Sequence, residues 1–178
     1  MPILDVLRHS ERTERADESS ALSPRGRALA ERVASRGVAY ALVLASDRAR
    51  AQETARIVGG RPPDRTEGAL LPEMSEVLDN AAYARLTSLS GYAAFIRVNA
   101  KAREAAERQL ALWSSLVAGL DETAAALAVS HGGVVELGAV LIAERLGTPL
   151  RGTPFGHCEG VRVALAGTTP RAIEVLRV

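Results

Sequence analysis

Near its start the chain reads Ile3-Leu4-Asp5-Val6-Leu7-Arg8-His9-Ser10, a short apolar run that polar residues follow at once. A run of this length and composition is typical of a strand buried on both faces, as in parallel sheets covered by helices. Residues 41–45 and 125–129 repeat the pattern, and longer helical patterns lie between the runs. This alternation predicts an α/β fold, a three-layer α/β/α sandwich around a mostly parallel central sheet.

Helix and turn signals complete the outline of a single domain over residues 1–178. Ser23 and Pro24 are typical of the N-cap and first position of a helix that ends at Gly37, and Ser46 or Asp47 is a candidate N-cap for the next helix. The remaining predicted elements, in chain order, are a third strand within 66–71, a long helix over 92–117, a helix after His131 that ends near Gly147, and a final strand pair at 160–165 and 172–176. Residues 73–91 are irregular, and with the start of the long helix (about 73–95) we expect them to form a small lid.

Composition and charge exclude several classes of protein. The chain has 178 residues, with 22 Lys and Arg against 21 Asp and Glu, so its net charge of +1 does not favour a nucleic-acid or membrane partner. A single cysteine, Cys158, cannot form an internal disulfide. There is no basic, apolar leader at the N-terminus and no run of about 20 apolar residues, which leads us to expect a cytoplasmic protein. Whether it forms a homodimer is left open.

Arginine and histidine are concentrated where three of the predicted strands end. The three segments are Arg8-His9-Ser10, Ser46-Asp47-Arg48-Ala49-Arg50 and Ser130-His131-Gly132-Gly133. The carboxyl ends of the strands in an open α/β sheet line its ligand crevice, so we expect these residues to meet in one site. Guanidinium groups repel cations, and the segments therefore do not predict a typical zinc site. We expect no metal and no cofactor. They suit a phosphoryl group, because arginine binds its oxygens bidentately and a neutral imidazole is a competent nucleophile at phosphorus.

Four segments, in this order along the chain, resemble the motifs of the histidine phosphatase superfamily, also called phosphoglycerate mutase-like. They are Leu7-Arg8-His9-Ser10-Glu11-Arg12, Leu22-Ser23-Pro24-Arg25-Gly26-Arg27-Ala28-Leu29-Ala30, Ser46-Asp47-Arg48-Ala49-Arg50-Ala51-Gln52-Glu53-Thr54-Ala55 and Val129-Ser130-His131-Gly132-Gly133-Val134. The resemblance implies the phosphoglycerate mutase-like fold and a phosphohistidine intermediate on His9. It also implies that Arg8, Arg50 and His131 hold the phosphoryl oxygens, with Arg50 rather than Arg48 at the family position.

The resemblance further implies a carboxylic acid that protonates the leaving group. Glu73, in Leu71-Pro72-Glu73, fits that position, and Glu76 one helical turn later competes with it. Further contacts with the substrate are expected from Arg12, Ser10, Ser46 and Gly132. We expect His157 to be a residue of the rim or of a turn.

Departures from the family motifs favour one of the activities found in this family. Gly133 follows His131-Gly132, so the His-Asp pair of the acid-phosphatase branch is absent, and Arg12 and Arg15 replace residues that are usual in mutases. We therefore expect a metal-independent phosphatase that acts on a phosphorylated small molecule or a phosphoprotein. A phosphoglycerate mutase-type transfer and a non-catalytic phosphate-binding module are the alternatives.

Overall fold

The computed structural model describes residues 1–178 apart from Arg15, Glu18, Ser75 and Glu76. The candidate donor Glu76 and the substituted position Arg15 therefore lie outside the described residues. The described strands are β1 (Ile3–Arg8), β2 (Leu42–Ala45), β3 (Arg65–Thr66), β4 (Ala125–Ser130), β5 (Gly160–Ala166) and β6 (Thr169–Leu176). The helices are α1 (Pro24–Ala34), α2 (Ala49–Val58), α3 (Asn80–Arg85), α4 (Leu89–Val98), α5 (Ala100–Leu116) and α6 (Val134–Arg145), with a 3₁₀ turn at Gly68–Leu70.

The strands form one mostly parallel sheet in the order β3-β2-β4-β1-β5-β6. Strands β3, β2, β4 and β1 are parallel, whereas β5 and β6 are antiparallel to their neighbours. Arg8 pairs with Ser130 and Ala45 pairs with Val129, so β1, β2 and β4 end side by side. The predicted α/β fold is confirmed, and the three polar segments that follow these strands do begin at one edge of the sheet.

Helices cover both faces of the sheet, because successive residues of each buried strand point to opposite sides. In β4, Ala126 and Ala128 belong to the core that α4, α5 and α6 cover, whereas Leu127 and Val129 belong to the core beneath α1 and α2. These two cores make the three layers that the strand pattern predicted. None of the helices in the described part of the chain is long and apolar enough to cross a bilayer.

Several predicted boundaries were wrong for local reasons. The long helix is divided at Asn99, whose extended backbone ends α4 and whose side chain accepts a hydrogen bond from the backbone N–H of Ala102 at 3.0 Å to start α5. The third strand covers only Arg65–Thr66, after which the chain turns into the 3₁₀ helix. Ser23 caps α1 as predicted, but Arg48 occupies the N-cap of α2 and makes no side-chain capping bond.

A buried ion pair joins β1 to β5 close to the centre of the sheet. The Asp5 carboxylate is 2% exposed, accepts hydrogen bonds from Arg162 Nε at 2.7 Å and Nη2 at 2.8 Å, and also accepts one from the Tyr40 hydroxyl at 2.7 Å. Three donors satisfy a charge that would be costly to bury alone. The network therefore holds the antiparallel β5 next to the strand that carries His9.

Replacing Asp5 by alanine should destabilise the protein by about 3 kcal/mol, because the partly buried Arg162 guanidinium and the Tyr40 hydroxyl would lose their acceptor. Urea unfolding at neutral pH measures the loss. The exposed Asp121→Ala serves as a control and should change the free energy of unfolding by less than about 0.5 kcal/mol. Equal effects of the two substitutions would contradict the importance of the network.

Candidate active site

His9 follows β1 directly, and its neighbours fix its tautomer. Its Nδ1 lies 2.7 Å from the backbone carbonyl oxygen of Ser10, which can only accept, so Nδ1 carries the hydrogen. Its Nε2 accepts a hydrogen bond from Arg50 Nε at 3.2 Å. Burial is the main cause that lowers the pKa of His9 from 6.5 to about 3, and the positive charges of Arg50 and Arg8 add to the effect. His9 is therefore a neutral imidazole with its Nε2 lone pair directed at a guanidinium.

His131 and Ser46 lie on the other side of Arg50. Arg50 Nη2 donates to His131 Nδ1 at 3.4 Å, so the ring hydrogen of His131 lies on Nε2 and is donated to Ser46 Oγ at 2.6 Å. The two imidazole rings have centroids 4.9 Å apart, and burial lowers the pKa of His131 to about 2. Ser46 Oγ also lies 3.5 Å from the backbone N–H of Arg48, the N-cap residue of α2. Arg50, in the first turn of α2, thus bridges the two histidines that the sequence places more than 120 residues apart.

Ser10 is completely buried, and its backbone carbonyl oxygen accepts the hydrogen bond from His9 Nδ1. Its backbone N–H donates to Thr54 Oγ1 at 2.9 Å, and its hydroxyl donates to the carbonyl oxygen of Gly26 at 2.7 Å. A Cβ at Gly26 would lie 2.1 Å from the carbonyl oxygen of Glu11, so only glycine lets α1 approach the loop this closely. Ser10 offers no surface to a substrate in this structure, and its contacts position His9.

Arg8 and Glu136 organise the opposite wall of the site. Arg8 Nη1 donates to the carbonyl oxygen of Phe155 at 2.8 Å, while its buried Nε has no hydrogen-bond partner among the described residues. The fully buried Glu136 carboxylate accepts from the backbone N–H groups of Gly133 at 2.7 Å and Phe155 at 2.9 Å. Burial raises the pKa of Glu136, against the opposing effect of these bonds and of Arg8. A donor without a partner in a buried position, such as Arg8 Nε, is suited to a ligand oxygen.

A cavity of about 340 Å³ opens above His9. It is lined by Arg8, His9, Glu11, Arg12 and His157. Arg12 and His157 therefore share this cavity with His9, and His157 lies in the turn before β5. Gly132 lies beside Arg8 on the second-histidine loop, where a Cβ would come within 2.7 Å of the Tyr83 hydroxyl and 3.0 Å of Arg8 Cζ. Tyr83 of α3 therefore lies against this loop.

A family model described as the histidine phosphatase superfamily (branch 1) matches residues 4–175. The chain belongs to the histidine phosphatase superfamily. No curated protein sequence matches it significantly.

Solved structures of superfamily members share its fold at low sequence identity. A mycobacterial glucosyl-3-phosphoglycerate phosphatase has 21% identity and a TM-score of 0.60, with 98% of each chain covered. A phosphoserine phosphatase from Entamoeba histolytica has 15% identity and a TM-score of 0.63, covering 100% of this chain and 98% of that one. A phosphoglycerate mutase from Bacillus anthracis has 13% identity and a TM-score of 0.65, covering 98% of this chain and 92% of that one. These likenesses show the phosphoglycerate mutase-like fold.

Glu73, the expected proton donor, lines a different cavity from the one above His9. Its exposed side chain lines a cavity of about 270 Å³ together with Val77, Lys101, Glu104 and Arg108. Its role as the donor stays a prediction. Across the described ranges, no three His, Cys, Asp or Glu side chains are grouped as a metal site requires.

Sequence reasoning missed three residues that shape the site, namely Thr54, Glu136 and Phe155. Glu136 could have been predicted from the sequence, because an acidic residue three positions after Gly133 is typical of a side chain that caps a helix N-terminus. Thr54 stands within the third motif, but its bond to Ser10 joins residues 44 positions apart. Phe155 acts only through its backbone, which no side-chain pattern reveals.

The two site histidines should make stability depend on pH. Their pKa values are lower in the folded protein than the usual 6.5, so the unfolded chain binds protons first as the pH falls. Each histidine should therefore contribute about 2 kcal/mol less stability at about pH 5 than at about pH 7. Urea unfolding across this range measures the decline. A double variant, His9→Gln with His131→Gln, should decline less steeply than the wild type, and parallel curves would contradict the assignment.

Proposed function

We propose that this protein is a phosphatase that hydrolyses phosphomonoesters or phosphohistidine through a covalent phospho-His9 intermediate and needs no metal ion. The observation that carries the proposal is the Nε2 lone pair of His9, held on a neutral ring and directed at Arg50 Nε 3.2 Å away. A neutral imidazole oriented by a hydrogen bond at its other nitrogen is an activated nucleophile. We expect its substrate to be a phosphorylated small molecule or a phosphoprotein in the cytoplasm.

The cationic groups around His9 supply the binding site for the phosphoryl dianion. Arg8 Nε has no protein partner among the described residues, and Arg50 spans both histidines. When a substrate enters, its oxygens would replace the imidazole nitrogens as acceptors for Arg50. His131 would donate a further hydrogen bond once it is protonated or reoriented. Charge that builds up on the equatorial oxygens then meets donors that the fold has already placed.

The reaction then has two displacements at phosphorus. His9 Nε2 attacks and the bond to the leaving oxygen breaks, after which water attacks phospho-His9 and releases phosphate. Arg12 lines the mouth of the cavity, where a leaving group would pass. Ser46 acts by orienting His131, Ser10 by orienting His9, and Gly132 by leaving space for Arg8 and Tyr83. The leaving oxygen also needs a proton, for which the family motif suggests a carboxylic acid at Glu73.

Trapping the intermediate tests the proposal. Rapid quenching of the wild-type protein with p-nitrophenyl phosphate should yield a burst of nitrophenol and an acid-labile, base-stable phosphoprotein. Phosphorus NMR of the denatured adduct should show Nε2-phosphohistidine rather than the Nδ1 isomer, because Nδ1 carries the hydrogen. Chelators should leave the rate unchanged. Turnover without any phosphohistidine, or with the phosphoryl group on another residue, would overturn the mechanism.

The same sample separates hydrolysis from the two alternatives. A phosphatase run in water labelled with heavy oxygen should release phosphate that contains one labelled oxygen. A mutase would pass the phosphoryl group from His9 to a second alcohol, so that the product ester would carry no label. A non-catalytic module would bind vanadate and release no nitrophenol.

A further inference from the structure

A second feature of the site is the loop that carries His157, because hydrogen bonds fix it against the end of β1. The Cys158 N–H donates to the carbonyl oxygen of Arg8 at 3.0 Å, and the Arg8 N–H donates to the carbonyl oxygen of Glu159 at 2.8 Å. Arg8 Nη1 also donates to the carbonyl oxygen of Phe155. The backbone on both sides of His157 is therefore attached to Arg8, and the position of His157 beside the nucleophile follows from the fold.

The His157 ring lies within the reaction cavity. Its centroid is 5.9 Å from that of His9, the two rings are inclined at 40°, and both residues line the same cavity. An adjoining cavity of about 410 Å³ shares Glu11 and His157 with it. This second cavity is also lined by Arg25, Leu29, Gly156, Glu159 and Val178. His157 thus stands at the junction between the nucleophile and a space large enough for the rest of a substrate.

We propose that His157, rather than Glu73, is the catalytic residue that protonates the leaving oxygen. The inference rests on the phospho-His9 mechanism proposed above and adds the identity of its acid. Among the cavities lined by described residues, His157 shares one with His9, whereas Glu73 lines another. A general acid must come within hydrogen-bond reach of the bridging oxygen, so the residue in the cavity of the nucleophile is the better placed of the two.

The electrostatic interaction between His157 and His9 supports different roles for them, with His157 as the acid and His9 as the nucleophile. A positive charge on His157 lowers the pKa of His9, so a protonated His157 and a neutral His9 are a compatible pair. The carboxylate of Glu11 lines the same cavity as His157, and a bound phosphate dianion would place a further negative charge there beside Arg8 and Arg12. The charged and titrating groups that line the two cavities around His157 are Arg8, His9, Glu11, Arg12, Arg25 and Glu159.

The proton balance of the two steps is complete with His157 alone. In the first step His9 Nε2 forms a bond to phosphorus, the bond to the alcohol oxygen breaks, and that oxygen takes its proton from the His157 imidazolium. The alcohol leaves and His157 is neutral. In the second step neutral His157 takes a proton from water as its oxygen attacks phosphorus, and the N–P electron pair returns to His9. Phosphate leaves and the imidazolium is restored.

Two substrates that differ only in their leaving group test the proposal. In His157→Gln, kcat/KM for phenyl phosphate should fall by about 100-fold, and that for p-nitrophenyl phosphate by less than about 5-fold, because nitrophenolate leaves without a proton. The loss of phenyl phosphate activity toward high pH in the wild type, as His157 deprotonates, should disappear in the variant. His157→Asn should behave in the same way, and thermal unfolding verifies that both variants fold.

Glu73→Gln is the matched rival, and any loss of kcat/KM that it causes should be equal for the two substrates, because a residue that does not protonate the leaving oxygen cannot distinguish them. A loss that depends on the leaving group in Glu73→Gln but not in His157→Gln would overturn the proposal and assign the proton to Glu73. Equal losses on both substrates in His157→Gln would show a structural role and would also overturn it. Wild-type phosphoenzyme trapping separates the two hypotheses. If phospho-His9 forms and His157→Gln shows no dependence on the leaving group, only the present inference fails.

Discussion

Replacing His9 by asparagine should lower kcat for p-nitrophenyl phosphate by about 10⁴-fold and abolish the phosphoenzyme. The side-chain amide of asparagine can still donate a hydrogen bond toward the Ser10 carbonyl, as His9 Nδ1 does at 2.7 Å. It offers no nitrogen lone pair that could attack phosphorus. The arginines and His131 would remain, so phosphate or vanadate should still bind to the variant. Loss of chemistry with retention of binding is the signature of a nucleophile.

Ser46→Ala is a useful comparison for this variant, because it removes the hydroxyl 2.6 Å from His131 Nε2 without touching the nucleophile. It should still form the phosphoenzyme, and its kcat should fall by about 10-fold because His131 loses its orientation. A His9→Asn protein that keeps a tenth of the wild-type kcat, or that still becomes labelled, would contradict the role of His9. Binding of vanadate to both variants, followed by thermal shift, verifies that the site is intact.

The parts of the fold that follow from local patterns were predictable, and those that depend on one side chain were not. Buried strands such as β1 and β4 are marked by apolar runs, and α1 is marked by Ser23 and Pro24 at its start. The division at Asn99 was missed because the apolar periodicity continues on both sides of it. Only the capping bond to Ala102 shows that the helix restarts there.

The candidate site likewise contains features that the sequence predicts and features that it does not. Residues that follow strand ends meet because the parallel register of β1, β2 and β4 brings those ends together, as predicted. Bonds that join distant segments, such as Ser10 to Gly26 and Glu136 to Phe155, have no local signature. His157 belongs to this second class, since its place beside His9 depends on how the loop before β5 bonds to Arg8. The proposed nucleophile could thus be named from the sequence, whereas the proposed acid required the structure.

Replacing Arg50 by methionine should lower kcat/KM by about 10³-fold, a loss comparable to the removal of a strong preorganised donor. Arg50 contacts both His9 Nε2 and His131 Nδ1, so its guanidinium lies where the proposed mechanism puts the transferred phosphoryl group. Methionine has a similar volume and fills the space without supplying charge. Inorganic phosphate at about 100 times its Kd should stabilise the wild type by about 2.7 kcal/mol, and the variant should lose most of this effect.

Arg48→Met is the matched control, because Arg48 begins the same helix two residues earlier and carries the same charge with its side chain 44% exposed. If the overall positive charge at this edge of the sheet were sufficient for phosphate binding, both substitutions would weaken that binding equally. If a directed fork is required, Arg48→Met should change kcat/KM by less than about 3-fold and should keep the thermal shift with phosphate. Equal losses would show that Arg50 acts only as one charge among several. A loss confined to Arg50→Met would show that its position between the two imidazoles, rather than the number of arginines, creates the phosphoryl site.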